Sequence, residues 1–297
     1  MKTGKIEKIK LVSSTIGEYI NWAIHYLEEH GVENPRVNAE ELFSLVSGKK
    51  RFQIYLERET EVGEEMGEEF ISLVKKRAEE GYPLQYIIKN TEFYGLFFIV
   101  LPGVFIPRPE TEILVETVIS IIERLNGKMV KLLDIGTGSG CIAISLAKFI
   151  SNVKIIATDI SPFALKIARR NAWLNKTEDK IEFVQADLFP PSTFYISQFE
   201  IIVSNPPYIP NSERESLPRE VKFEPPLSWD GGENGLFYIE KIIREAPRYL
   251  REEGALVMEI GFGQKKSIEN IFSQSQFNKL NFVKDYRGIE RVAVLGR

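Results

Sequence analysis

The sequence predicts an α/β protein with a mainly parallel, doubly wound sheet and a small N-terminal helical domain joined to it by a β-hairpin. Three observations support this prediction. Helical patterns alone fill residues 15–88, and strand and helix patterns alternate from about residue 107 onwards. An apolar segment interrupted by Pro-Gly lies between the two regions. Such alternation is typical of parallel sheets whose faces are covered by helices.

Three segments of the N-terminal region have the apolar periodicity of helices. "TIGEYINWAIHYLEEHG" (15–31) and "NPRVNAEELFSLVSG" (34–48) each end at a glycine, which favours helix termination. "VGEEMGEEFISLVKKRAEEG" (62–81) is acidic at its start and basic near its end, which complements the helix dipole. We therefore predict a helical domain over residues 1–88.

The segment "TEFYGLFFIVLPGVFIP" (91–107) predicts the hairpin, and we assign residues 89–106 to this linker. Its apolar run of 14 residues is too short to span a bilayer. Residues 107–297 form the predicted α/β domain. Helices are predicted at 111–125, 141–150, 161–175 and 235–250, and strands at 130–136, 154–160, 181–187, 199–205 and 254–261.

The composition favours a soluble protein of a reducing compartment, and we expect a cytoplasmic location. The chain has 297 residues, 43% of them hydrophobic, and its one cysteine, Cys141, cannot form an internal disulfide. No signal peptide is expected, because "MKTGKIEKIK" lacks an apolar region. The net charge is −4, and residues 1–88 carry all of it, with 12 basic against 16 acidic side chains. This balance argues against a nucleic-acid-binding protein.

The segment "LLDIGTGSGCIAISLA" (132–147) predicts a strand, a glycine-rich turn and a helix. Gly136, Gly138 and Gly140 let the backbone approach a ligand closely. Their spacing is G-x-G-x-G, whereas the dinucleotide-binding form would need glycine in place of Cys141. The structural alternative is that these glycines only punctuate a turn.

Two carboxylates follow the next two predicted strands. Asp159 ends its strand nineteen residues after the last glycine of the loop, where a carboxylate can accept both hydroxyls of a ribose. Asp187 ends the following strand, from which it could face an adenine amino group. Capping of helices is the structural alternative for both. Because the carboxyl ends of parallel strands bind ligands in open α/β sheets, we predict a nucleoside site here.

The next predicted strand ends in "NPPY", Asn205 to Tyr208. Consecutive prolines fix two φ angles and make the turn rigid. The side-chain oxygen of Asn205 and the carbonyl of Pro206 can accept the two N–H bonds of a planar NH2 group, and Tyr208 can cover its face. The motif can therefore hold the planar NH2 group of an amide or an aryl amine, with an ordinary proline-rich turn as the alternative.

Further candidate residues have a functional and a structural interpretation. Arg108 and Glu112 in "PRPETE" either line a cofactor entrance or form a structural ion pair. Glu224 either orients a substrate backbone or caps a turn. Cys141 is interpreted as a packing residue rather than a nucleophile. The two histidines are not spaced to share a metal ion, and no metal site is predicted.

The segments "DIGTGSG", "TDIS" and "ADLF" together resemble the cofactor motifs of class I S-adenosylmethionine-dependent methyltransferases, whose fold is Rossmann-like. The resemblance implies S-adenosylmethionine as cofactor and S-adenosylhomocysteine as product. It implies that the glycine loop lies along the methionine, that Asp159 holds the ribose and that the segment from Asp187 lies by the adenine. The expected cofactor-binding residues are Gly136, Thr137, Gly138, Ser139, Gly140, Asp159, Asp187, Leu188, Asn205, Phe105 and Arg108.

The flanking segments "PLQYI", "FIPRPETEILVE" and "MEIGFGQ", together with "SNPPYI", resemble one family from about residue 17 to the end. These are the HemK-type protein-(glutamine-N5) methyltransferases that modify peptide chain release factors (PrmC). The resemblance implies methylation of the glutamine in the Gly-Gly-Gln loop of class I release factors. The expected catalytic residues are Asn205, Pro206 and Tyr208. The expected substrate-binding residues are Asn205, Pro206, Pro207, Tyr208 and Glu224.

Three alternatives remain at this point. They are a ribosomal-protein glutamine methyltransferase, a nucleic-acid adenine-N6 methyltransferase and a cofactor-binding regulator without activity. The leading interpretation also predicts that residues 1–88 recognise the release factor, because a glutamine side chain alone offers too little surface to specify one protein. We expect a monomer that binds neither membrane nor nucleic acid directly.

Overall fold

The computed structural model describes residues 14–125, 127–191 and 198–297, so the first 13 residues of the predicted helical domain lie outside it. The described residues form two compact units. The helical unit contains the residues up to Lys89 together with Pro218–Phe223, and the sheet unit contains Asn90–Leu217 and Glu224–Arg297. Within the described ranges, no helix is long and apolar enough to cross a bilayer.

The helical unit contains the three predicted helices and two short ones that the sequence did not reveal. In chain order they are α1 (Ile16–Glu29), α2 (Pro35–Ser47), α3 (Arg51–Leu56), α4 (Glu64–Lys75), which continues as a π-helical turn (Lys76–Glu80), and α5 (Leu84–Ile88). Thr15 caps α1 in a capping box with Glu18, which satisfies two backbone donors. The α2 helix has Pro35 in its first turn and ends at Gly48, whose φ of 65° suits glycine.

Aromatic side chains form the centre of the helical unit. Tyr19, Phe43 and Phe70 are fully buried, and the rings of Phe43 and Phe70 meet edge to face at 5.2 Å. Such aromatic pairs stabilise a core by about 0.5–1.5 kcal/mol beyond the area they bury. The helical unit therefore has a hydrophobic core of its own.

The segment Pro218–Phe223 packs on the helical unit although it lies late in the chain. The Arg77 guanidinium donates to Glu220, and Arg219 donates to the Glu79 carbonyl at 3.3 Å. The rings of Tyr82 and Phe223 meet at 4.9 Å. The chain that leaves the NPPY turn is thus anchored on the helical unit before it returns to the sheet unit at Glu224.

The sheet unit contains a two-stranded hairpin and a seven-stranded sheet. The hairpin is β1 (Asn90–Phe93) and β2 (Leu96–Ile99), and the sheet strands are β3 (Val130–Ile135), β4 (Val153–Asp159), β5 (Ile181–Gln185), β6 (Phe199–Ser204), β7 (Leu250–Glu259), β8 (Lys279–Lys284) and β9 (Glu290–Gly296). Its helices are α6 (Glu112–Glu123), α7 (Cys141–Phe149), α8 (Pro162–Asn175), α9 (Phe237–Glu245) and α10 (Lys265–Ser273).

The strand order is β5-β4-β3-β6-β7-β9-β8, and the first five strands are parallel. From β3 the chain proceeds outwards to β5 and then returns to place β6 on the other side of β3. Ligands bind at the carboxyl ends of strands beside such a switch point. The mainly parallel sheet and the hairpin confirm the predicted fold class.

Two antiparallel strands and one helix were absent from the prediction. The β9 strand pairs antiparallel with both β7 and β8, and β8 forms the sheet edge. The β8 sequence "KLNFVK" exposes alternate residues, so it lacks the continuous apolar run of the central strands. The α10 helix buries only one residue fully, Ile268, which explains why its apolar pattern is weak.

The central strands are apolar on both faces because helices cover both. In β3, Leu132 packs into the core on one face and Leu133 into the core on the other. Their partners in β6 are Ile201 and Ile202 in register, and all four side chains are almost fully buried. This explains the uninterrupted apolar runs, which are typical of buried parallel strands.

A buried asparagine connects the hairpin to the glycine-rich loop. Asn171 of α8 accepts from the Ile99 amide at 2.8 Å and donates to the Ile99 carbonyl at 3.0 Å. It also donates to the Ser139 carbonyl at 2.9 Å, and its side chain is completely buried. One side chain thus satisfies polar groups of two separate segments.

We predict that Asn171→Ala lowers the free energy of unfolding by about 2–4 kcal/mol, because it leaves several buried backbone groups unpaired. Urea denaturation of the full chain measures this change. Asn270→Ala on the exposed side of α10 is the matched control and should change stability by less than about 0.5 kcal/mol. Equal effects of the two substitutions would remove Asn171 from this structural role.

Candidate active site

The loop after β3 has the glycines that its geometry requires. Gly136, Gly138 and Gly140 have φ values of 71°, 56° and 85°, a region that favours glycine. A Cβ added at Gly140 would lie 2.8 Å from the Ile144 side chain, so this glycine allows α7 to pack closely. A Cβ at Gly136 would meet no atom within 4 Å and would project into open space. Gly136 thus keeps room for a ligand.

Asp159 at the end of β4 connects this loop to the next turn. Its carboxylate accepts from the Gly138 amide at 2.8 Å and from the Ser161 amide at 2.9 Å, one through each oxygen. Burial raises the pKa of Asp159, while these backbone donors act in the opposite direction. A carboxylate has about four acceptor positions, so these amides leave acceptor capacity for a ligand hydroxyl.

Asp134 lies beneath the glycine loop and is completely buried. It accepts a hydrogen bond from the Thr137 hydroxyl at 2.7 Å, which fixes the start of the loop. Burial raises the pKa of Asp134 to about 7, while the Thr137 hydrogen bond opposes this rise. Strongly shifted carboxyl groups are concentrated at functional sites.

The turn after β5 holds Leu188 in a backbone conformation that is unusual for its residue type. Leu188 has a φ of 64°, and the Phe189 amide donates to the Asp187 carbonyl at 3.0 Å across a three-residue turn. The Thr158 hydroxyl donates to the Leu188 carbonyl at 2.6 Å. Such strain persists where the surroundings fix it, commonly beside a ligand.

The NPPY turn follows β6 and is held by hydrogen bonds to three neighbouring segments. Asn205 donates through Nδ2 to the Thr111 hydroxyl at 3.1 Å. The Tyr208 hydroxyl donates to Glu259 at 3.1 Å, and the Gln264 side chain donates to the Tyr208 carbonyl at 3.0 Å. Burial and the neighbouring Glu259 raise the pKa of Tyr208, so its phenol stays neutral at physiological pH.

One cavity brings most of the predicted residues together, with an empty volume of about 1120 Å³ including its mouth. The predicted residues that line it are Phe105, Gly136, Thr137, Gly138, Ser139, Asp159, Asp187, Leu188, Asn205 and Pro207. The predicted residues that lie outside its lining are Arg108, Gly140, Pro206, Tyr208 and Glu224. Every lining residue belongs to the sheet unit.

Arg108 and Glu224 form an ion pair beside the cavity. Glu224 is 2% exposed and also accepts from the Ile106 amide at 3.2 Å, so it fixes the segment that precedes α6. The Arg108 guanidinium stacks over the Phe105 ring at 5.4 Å. Glu112 accepts from the Tyr94 amide at 2.8 Å instead of joining this pair.

Several cavity residues were not identified from the sequence. Ile142 follows the glycine-rich loop, and Ile160 follows Asp159. An apolar residue at such a position is only a weak sequence signal of a binding site. Pro225, Leu227 and Ser228 reach the cavity from a distant part of the chain without a local signal. Within the described part of the chain, no cluster of three His, Cys, Asp or Glu side chains could hold a metal ion.

The chain matches two family models and known proteins over most of its length. The PrmC N-terminal domain model matches residues 18–88, and the methyltransferase small domain model matches residues 96–218. A release factor glutamine methyltransferase of Geobacter sulfurreducens is 38% identical over 279 residues, which cover 94% of this chain and 95% of that protein. The chain belongs to the release factor glutamine methyltransferase family.

A further member of this family and one solved structure are also similar to the chain. The release factor glutamine methyltransferase of Thermodesulfovibrio yellowstonii is 40% identical and covers 86% of this chain and 91% of its own length. The hMettl16 catalytic domain, solved in complex with a MAT2A 3′UTR hairpin, aligns with a TM-score of 0.55 and 15% identity over 77% of this chain and 81% of that one. At this identity the structural likeness shows the methyltransferase fold alone.

We predict a pH-dependent stability difference between the wild type and Asp134→Asn. The folded chain holds the Asp134 proton up to about pH 7, whereas the unfolded chain releases it near pH 4. Between about pH 4 and pH 7 the folded chain therefore holds one more proton than the unfolded chain does. The contribution of Asp134 to the free energy of unfolding declines as pH rises through that window. The free energy of unfolding of the wild type relative to the variant should fall from pH 4 to pH 7. Urea titrations at several pH values measure it, and a constant difference would contradict the raised pKa.

Proposed function

We propose that this chain transfers a methyl group from S-adenosylmethionine to the side-chain amide nitrogen of the glutamine in the Gly-Gly-Gln motif of class I peptide chain release factors. The observation that carries the proposal is the placement of Asn205. Its amide lies at the cavity, and its Nδ2 is already engaged by Thr111, which leaves the carbonyl oxygen for a substrate N–H. Family membership supplies the class of acceptor.

The residues of the cavity fit the proposed cofactor. Open space beside Gly136 admits a ligand against the backbone, and the remaining acceptor capacity of the Asp159 carboxylate suits the hydroxyls of a ribose. Ile160 and Leu188 provide apolar contacts for a base, and Asp187 lies beside them. When bound, S-adenosylmethionine supplies a methyl group that its sulfonium already activates.

The NPPY residues provide the acceptor side of the reaction. An amide nitrogen is a weak nucleophile because its lone pair is delocalised. Accepting its N–H bonds at the Asn205 carbonyl and the Pro206 carbonyl orients the nitrogen and increases its electron density. The prolines keep these acceptors fixed, so catalysis depends mainly on positioning and electrostatics. We propose Tyr208 as the ring that packs against the planar amide.

The helical unit is proposed to recognise the release factor. Phe52 and Leu56 lie one turn apart on α3 and are 60% and 81% exposed. Adjacent exposed apolar side chains can mark a surface that contacts another protein, whereas single ones carry no such meaning. We further expect a cytoplasmic monomer without direct nucleic-acid contact.

The experiment that tests the proposed function incubates the purified chain with methyl-labelled S-adenosylmethionine and one of three acceptors. These are an intact class I release factor, ribosomal protein and DNA. We expect label on the release factor alone, and mass spectrometry should locate it on the glutamine of Gly-Gly-Gln. Label on ribosomal protein or DNA instead would support the corresponding alternative and overturn this proposal.

We predict that Asn205→Ala lowers the single-turnover methylation rate about 100- to 1000-fold, because it removes an acceptor aimed at the reacting group. Cofactor affinity should change little, since other residues contact the nucleoside. Single-turnover kinetics and calorimetry measure the two quantities. A rate near that of the wild type would exclude NPPY from the mechanism.

We predict that Asp159→Ala weakens cofactor affinity by at least tenfold, because two charge-assisted hydrogen bonds of about 1.5–3 kcal/mol each are lost. Calorimetric titration with S-adenosylhomocysteine measures the dissociation constant. Asp179→Ala, on an exposed loop, is the matched control. An unchanged dissociation constant in Asp159→Ala would place the ribose elsewhere.

We predict that replacing both Phe52 and Leu56 by serine lowers kcat/KM for an intact release factor several-fold but leaves kcat/KM for a short Gly-Gly-Gln peptide unchanged. A peptide lacks the wider surface that these side chains would contact. Met129→Ser, which alters another exposed apolar residue just before β3, serves as control. Equal changes in kcat/KM for the peptide and for the intact factor would show that α3 takes no part in recognising the factor.

A further inference from the structure

Two buried residues that the sequence did not single out lie behind the NPPY turn. Thr111, immediately before α6, is 1% exposed, and Glu259, at the end of β7, is 2% exposed. Asn205 donates through Nδ2 to the Thr111 hydroxyl at 3.1 Å, and the Tyr208 hydroxyl donates to Glu259 Oε1 at 3.1 Å. Thr111 and Glu259 therefore each accept a hydrogen bond from one proposed catalytic side chain.

The direction of these hydrogen bonds matters for the proposed reaction. An asparagine amide has a donating side and an accepting side, and its two orientations differ little in shape. If Nδ2 faced the cavity, it would meet the N–H groups of a substrate amide, donor against donor. With Nδ2 held by Thr111, the carbonyl oxygen Oδ1 is the atom that remains for the substrate.

Thr111 alone does not determine the direction of its hydrogen bond with Asn205, because a hydroxyl can donate or accept. The Thr111 hydroxyl has a single hydrogen, however, and a carboxylate beside it can only accept that hydrogen. Glu259 Oε2 is buried and meets no partner at full hydrogen-bond geometry among the described residues, so an acceptor remains for that hydrogen. Burial raises the pKa of Glu259 to about 7 and Glu110 adds to this rise, while the hydroxyls of Thr111 and Tyr208 and the charge of Arg291 oppose it. Above that pH the group is a carboxylate, which can accept from both hydroxyls.

We propose that Thr111 and Glu259 are positioning residues that fix the Asn205 amide with its carbonyl oxygen towards the substrate. Glu259 accepts the Thr111 hydrogen, the Thr111 oxygen then accepts from Asn205 Nδ2, and the orientation of the amide follows. This inference rests on the proposed function, because it concerns the acceptor nitrogen of that reaction. It also predicts a property of the protein alone, the protection of the Asn205 side-chain N–H.

The substitutions that test this inference differ by single groups. Thr111→Val replaces the hydroxyl by a methyl group of similar volume, and Thr111→Ser keeps the hydroxyl. Glu259→Met removes the acceptor behind Thr111. Thr117→Val is the matched control on the adjoining helix α6, because the Thr117 hydroxyl donates to the Ile113 carbonyl of that helix.

Two measurements are made on each variant of the full chain. The first is the single-turnover rate with an intact release factor at saturating S-adenosylmethionine. We expect a loss of about 10- to 100-fold in Thr111→Val and Glu259→Met, recovery of most of the rate in Thr111→Ser, and no change in Thr117→Val. Calorimetry should give the same cofactor affinity throughout, which excludes general misfolding.

The second measurement does not depend on activity. With 15N-labelled asparagine, hydrogen exchange of the Asn205 side-chain amide is followed by NMR, and Asn205→Ala identifies its resonance. We expect exchange at least tenfold faster in Thr111→Val and Glu259→Met than in the wild type, Thr111→Ser and Thr117→Val. Unchanged exchange in Thr111→Val overturns the inference, whether or not the rate falls. If the wild type methylates no release factor, the proposed function fails while the exchange data still decide the orientation.

Discussion

The parallel pairing of β3 with β4 on one side and β6 on the other is the constraint on which the site depends. It places the glycine loop, Asp159 and Asn205 together at the carboxyl ends of these strands, although many residues separate them in the chain. The hydrogen bond from the Gly138 amide to Asp159 then ties the first two of these segments together. Without this register the glycine loop, Asp159 and Asn205 would not line one cavity.

Buried carboxyl groups give the site its rigidity at a cost in stability. Asp134 and Glu259 are almost completely buried, and burial raises the pKa of each to about 7. Both receive hydrogen bonds from side chains of the site, Thr137 in one case and Tyr208 in the other. Groups that are costly to bury and that orient ligand-facing residues are typical of functional sites rather than of cores.

The sequence predicted the parallel strands, the hairpin and ten of the 22 residues that line the cavity, because these depend mostly on local patterns. The glycine spacing, the carboxylates after successive strands and the Asn-Pro-Pro-Tyr turn each carry a local signal. The antiparallel strands β8 and β9 lacked one, because they have no continuous apolar run and their order in the sheet depends on tertiary pairing. Thr111 and Glu259 were missed for a similar reason, since their importance follows from proximity to Asn205 and Tyr208 across the fold.

The central claim is that Asn205 accepts an N–H of the substrate amide while its own nitrogen is held by Thr111. A crystal structure of the chain with S-adenosylhomocysteine and a Gly-Gly-Gln peptide tests it most directly. The account predicts the glutamine amide nitrogen about 2.7–3.2 Å from Asn205 Oδ1, with Nδ2 still on the Thr111 hydroxyl. A glutamine bound away from Asn205, or an Asn205 amide turned with Nδ2 towards the substrate, would contradict it.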